Sequence, residues 1–159
     1  ILKADGSTSA GTIRSLEFTN NTLVAITYLN ADTPSVYSAA ASDLTDWTTG
    51  IALTDATNAG FSIRSASAAG RVVLAWGQLM WTMDVSGKSI TMDSNDVDLT
   101  TDSHGNVFGL ATDGVTYVAV CDTGDVLSST DGGDSWSLRA TNVGSKDGEC
   151  IAADVYLPL

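Results

Sequence analysis

The sequence predicts an all-β chain built from repeated, antiparallel, four-stranded units. Three observations carry this reading. β-Branched runs recur along the chain, Pro occurs only twice, and no segment holds a helical apolar period over three turns. Paired strand-like runs are joined by residues that tolerate hairpin geometry. The pairs return with a period in the forties that contains only strand-like runs.

The elements follow in order. Residues 1–12 read as a linker or tail. Ile13–Phe18, the turn Asn20-Asn21 and Leu23–Tyr28 then form a first hairpin. Its counterparts are Ile63–Ser67 with Val72–Trp76 across Ala69-Gly70, and Val107–Ala111 with Tyr117–Cys121 across Asp113-Gly114. Asn, Asp and Gly supply the positive φ that tight hairpins require. Each hairpin is followed by a segment that starts on a hydroxyl residue, passes through Asp and ends on a large apolar residue. These segments are Ser38–Trp47, Thr82–Ile90 and Ser129–Trp136, and their end points lie 43 and 46 residues apart. The units therefore span approximately 13–52, 63–92 and 107–140, and a partial fourth covers 149–159, opening with the run Glu149–Tyr156.

The last of these segments is the most specific. Ser129-Thr130-Asp131-Gly132-Gly133-Asp134-Ser135-Trp136 reads S-x-D-x-G-x-S-W. A Ser hydroxyl and an Asp carboxylate can bond nearby backbone N–H groups, the two glycines permit positive φ, and Trp136 anchors the outgoing strand by burial. The motif resembles the Asp-box of bacterial-neuraminidase-type, sialidase-like β-propeller repeats. The resemblance implies propeller-type blades, with Ser129, Asp131, Gly133 and Trp136 in structural roles. The Ser38 copy departs by two extra residues and no Asp at the third position. The Thr82 copy has one extra residue and ends on Ile90. A closed propeller usually has four to eight blades. Three blades and part of a fourth therefore read as an incomplete propeller or part of a larger one. The remaining faces are expected to meet other protein subunits or the rest of a longer chain.

Composition limits the partners. Nineteen acidic residues face seven basic ones, for a net charge of −12. Nucleic acid is disfavoured because phosphate binding needs clustered Lys and Arg, and an anionic membrane surface is disfavoured for the same reason. The longest purely apolar run, Val72–Trp76, is far short of the roughly 20 residues of a membrane span, so no membrane insertion is expected. Abundant Ser, Thr, Asp, Asn and Gly with little Lys suit an extracellular or virion protein. Cys121 and Cys150 are either two buried thiols or a disulfide between adjacent units. Asn20-Asn21-Thr22 matches a glycosylation sequon while also forming a turn.

Candidate site residues are sparse. Asp93, Asp96 and Asp98 resemble part of a calcium loop, but Gly is missing at the sixth position and Glu at the twelfth. A solvated acidic loop is therefore the primary reading, calcium the alternative, and no cofactor is expected. Arg14 and Arg64 hold equivalent places in two Ile-Arg-Ser triplets. They could grip a carboxylate together, or pair with acidic neighbours such as Glu17. Trp76 and Trp81 could stack on a sugar, or lie in the core. Sialidases of the resembled family use an arginine triad, a Tyr/Glu nucleophile pair, an Asp acid/base and an Arg-Ile-Pro signature. Here the arginines are only Arg14, Arg64, Arg71 and Arg139, and Arg-Ile-Pro does not occur. No catalytic residue is carried over. The sequence thus reads as a non-catalytic structural or attachment module, such as part of a phage particle or tail fibre. The alternatives are a glycan-binding module for cell-surface glycan and a fragment of a sialidase-like glycosidase.

Overall fold

In the computed structural model the described residues are 12–29, 33–48, 50–53, 63–93, 97–99 and 101–143. The expected tail up to residue 11, Asp96, Cys150 and the run 149–159 lie outside them. Every described element is a strand, and the sheets are antiparallel.

Three sheets form in chain order. The first is β1 (Thr12–Thr19), β2 (Thr22–Leu29), β3 (Thr33–Ala40) and β4 (Ile51–Ala52), each hydrogen-bonded to the next. The second is β5 (Ile63–Ala68), β6 (Arg71–Trp76), β7 (Leu79–Ser86) and β8 (Ser89–Met92), with β9 (Val97–Asp98) as a fifth strand. β8 pairs with Met83–Ser86 and β9 with Leu79–Met80, so both lie along the same outer edge of β7. The third is β10 (Val107–Thr112), β11 (Tyr117–Cys121), β12 (Val126–Ser129) and β13 (Ser137–Ala140).

The turns explain the pairing. Asn20 and Asn21 sit at φ 47° and 56°, and Ala69 and Gly70 at 50° and 86°. Positive φ at both central residues is the geometry whose twist matches two-residue hairpins. Gly70 is required for a second reason. A Cβ there would lie 2.2 Å from Asn20 Nδ2 of the first sheet.

Packing follows from which side of each strand is apolar. Val24, Ile26 and Val36 of the first sheet meet Val72, Leu74, Trp76, Trp81 and Met83 of the second in one core. Val73, Ala75 and Met80 on the opposite face of the second sheet meet Tyr117, Ala119, Cys121 and Leu127 of the third in another. The second sheet is thus covered on both sides, which is why β6 is apolar at five consecutive positions rather than alternating. For each sheet we call the side turned to the next sheet its front and the other side its rear.

Candidate functional site

The Ser129–Trp136 turn joins β12 to β13 and is held by its own side chains. Ser129 Oγ donates to Asp131 Oδ1 at 2.6 Å and accepts the buried Gly133 N–H at 2.8 Å. Asp131 Oδ1 accepts Ser135 N–H at 3.0 Å, and the Ser135 hydroxyl donates to Oδ2. These donors, the Ser129 hydroxyl foremost, hold the Asp131 carboxyl down at about 2, against an ordinary value of 3.8. Trp136 Nε1 donates to Gly133 O at 3.0 Å. Trp136 is half-buried rather than enclosed by its own unit, because it packs against the core shared by the second and third sheets. In the first sheet Trp47 Nε1 repeats this bond to Leu44 O at 2.8 Å, and Asp43 Oδ1 accepts Thr45 N–H at 3.0 Å. The Thr82–Ile90 segment differs: Ser86 pairs with Ser89 across the two-residue turn Gly87-Lys88.

The sequence reading missed Arg71. Its side chain reaches from β6 to the third sheet, donating from Nε to Gly132 O at 2.7 Å. Its terminal nitrogens bond Asp84 and Asp93 at 3.1 Å each, Thr82 Oγ1 at 3.2 Å, and Asp134. Burial opposes its charge, but Asp134, Asp93 and Asp84 outweigh that and raise its affinity for the proton. The signal that could have found it is positional, since Arg71 opens β6 immediately after the turn whose counterpart in the first sheet is followed by Thr22.

Arg14 and Arg64, read either as a shared carboxylate grip or as partners of acidic neighbours such as Glu17, take other partners among the described residues, and so does Glu17. Arg64 donates to Phe108 O at 2.6 Å and to Ile63 O at 3.0 Å, tying β5 to β10. Arg14 lies at a register shift in β1 and stands over the Tyr28 ring, 5.6 Å from its centroid. Glu17 instead accepts the hydroxyls of Ser65 and Ser67 at 2.6 and 2.7 Å. Side chains on alternate residues of β1 are directed to β5 by the pleat, so Glu17 meets serines across the junction rather than the arginine three residues away. Trp76 and Trp81 are 1% and 3% exposed and form part of the first core, not a stacking platform.

The remaining candidates are also tied into the fold. Asp93 bonds Arg71, and among the described residues no three His, Cys, Asp or Glu side chains gather as metal ligands. His104 Nδ1 lies 2.9 Å from Asp125 Oδ2, while Asp122 accepts both Asn106 N–H and its amide nitrogen at 2.8 Å. Cys121 is a free, buried thiol, pushed up to about 12 by burial and by Asp125 and Asp122. Asn20 Nδ2 of the sequon donates to Val85 O at 3.1 Å in the second sheet.

No family model and no curated protein matches the chain. Among solved structures it is similar to the N-terminal domain of Nup159, at 8% identity and a TM-score of 0.47, over 85% of this chain and 32% of that one. The chain thus spans about a third of the length of that neighbour.

Proposed function

We propose that this chain is a non-catalytic structural or attachment module of a larger extracellular or virion assembly, and that its sheets are β-propeller-type blades joined by Asp-box turns. One observation carries the reading: the polar side chains best suited to chemistry are used as mortar. Arg71 bonds the next sheet, Glu17 binds two serines of the next sheet, and Ser129 and Asp131 close their own turn. A carboxylate or guanidinium already committed to such partners is a poor acid, base or ligand clamp.

The blade reading is supported by three successive four-strand meanders stacked face to face in chain order. The extracellular or virion placement is supported by the abundance of Ser, Thr, Asp, Asn, Gly and Ala beside only three Lys. The test pairs a fluorogenic sialoside assay with a glycan array on the 1–159 chain. The expected outcome is no turnover and no retained glycan. Hydrolysis above background would move the chain to the glycosidase reading, and array binding without turnover to the glycan-binding one.

A further inference from the structure

The tip of the first hairpin is a plug seated in the second sheet. Thr19 Oγ1 accepts the buried Gly70 N–H at 2.8 Å, and Asn20 Nδ2 donates to Val85 O at 3.1 Å. Thr22 Oγ1 donates to Gly87 O at 2.5 Å, and Thr22 is 1% exposed. Asn20 and Thr22 begin and end Asn20-Asn21-Thr22, the only Asn-X-Ser/Thr triplet in the chain. Such a triplet ordinarily marks a free surface loop. Here the two asparagines are exposed as residues, but the groups that define the triplet, the Asn20 amide and the Thr22 hydroxyl, are spent on the second sheet.

N-glycosylation of such a triplet bonds Asn Nδ2 to a sugar C1. It breaks the C1–O bond to a diphosphate carrier and releases one amide hydrogen as a proton. The product carries a bulky, hydrophilic group on that nitrogen. At Asn20 the nitrogen lies against Gly70, where even a Cβ would come within 2.2 Å of it. A sugar ring is far larger than one methyl group. Turning the amide outward to make room takes the donor away from Val85 O and unseats the plug. Val24 and Val72, two residues past Thr22 and Gly70, belong to the core that the plug closes, and neither has exposed surface.

We infer that Asn20 must stay bare, because an N-glycan on it and the docked second sheet exclude one another. Folding hides the acceptor groups, so an N-glycosyltransferase meets them only on the unfolded chain. The chain is therefore made where no such enzyme reaches it before it folds. That narrows the extracellular or virion placement to routes without N-glycosylation. The inference does not need the chain to be a structural module, so either reading can fail while the other stands.

The 1–159 chain is produced in a cytosol without N-glycosyltransferase and, behind a signal peptide, in the secretory lumen of a cultured eukaryotic cell. Trypsin resistance reports folding, and the mass of the peptide that holds Asn20 reports the glycan. The cytosolic wild type is expected to resist trypsin. The lumenal wild type is expected to carry a glycan on Asn20, to be trypsin-sensitive and to be lost from the medium. Asn20→Gly removes the triplet and suits the positive φ of 47°, so it should restore secretion of folded chain. Thr22→Val replaces it if its cytosolic product is unfolded. Adding Asp43→Asn makes a new triplet with Leu44 and Thr45 in an exposed turn, and this variant should be secreted folded with one glycan. A folded wild type glycosylated at Asn20, or one secreted folded with Asn20 bare, overturns the proposal. So does a triplet-free variant that is still lost from the medium, or a glycan at position 43 that blocks folding equally.

Discussion

Ser129 and Asp131 look like equal partners in the turn, but burial separates them. Ser129 Oγ is the acceptor for the buried Gly133 N–H, whereas the Ser135 N–H served by Asp131 is exposed and can return to water. Ser129→Ala should therefore cost about 1–3 kcal/mol, the penalty of an orphaned buried donor, and Asp131→Ala about 1 kcal/mol. Urea midpoints of the two variants check the order. Asp131 also sets an acid limit. Its folded value of about 2 lies below the ordinary 3.8, so its contribution is complete above about pH 4 and is lost as pH falls toward 2. The acid-unfolding difference between wild type and Asp131→Ala should shrink across that window. Cys121 gives a second test at this scale. In a Cys150→Ser background it should resist a thiol reagent at pH 8 until the chain is unfolded, since the reactive thiolate is suppressed by burial. The Ser-x-Asp pattern made these local bonds legible, because both donors and acceptor lie within four residues. The role of Gly133 beyond its φ was hidden, because the atoms it approaches lie more than 50 residues upstream.

Those atoms belong to the second sheet, and at the level of elements the turn is a docking device. A Cβ on Gly133, at φ +101°, would come within 2.7 Å of Val73 Cγ2 and Thr82 Cγ2. Gly114 has a similar φ of +94° with no neighbour within 4 Å of such a Cβ. Gly114→Ala should then show backbone strain alone, about 1–3 kcal/mol, and Gly133→Ala that cost plus the clash. Thermal midpoints of the pair isolate the packing contribution. Strands and turns were readable because period-two patterning and Asn, Asp and Gly act locally. Partnerships between sheets were not. Glu17 was expected near Arg14 on sequence proximity, yet the pleat carries it to Ser65 and Ser67. Trp76 and Trp81 were ambiguous because an aromatic at a strand end reads alike as core or platform until both faces of the sheet are known to be covered.

Among the described residues the second sheet is the keystone, since it packs against a neighbouring sheet on both of its faces. In stacked repeats stability is nearly a sum of unit and nearest-neighbour terms. Leu74→Ala, at a fully buried position, should cost about 2–5 kcal/mol and lower the single main transition. Leu138→Ala on β13, where the side chain is 46% exposed, should stay within about 0.5 kcal/mol. Hydrogen exchange should be slowest in β6 and β7 and fastest in β13, and equal protection throughout would count against the keystone.

The one-way stacking also has a consequence in time. Among the described residues the fronts of the first and second sheets are each completed by the sheet that follows in the chain. Met83, which covers the first core, leaves the ribosome 47 residues after Val36. At about 5–20 residues per second, Val24, Ile26 and Val36 wait bare for roughly 2–10 s during every round of synthesis. The interval in which this protein is most exposed to error therefore falls before its second sheet exists, and a slow codon between residues 40 and 80 would lengthen it.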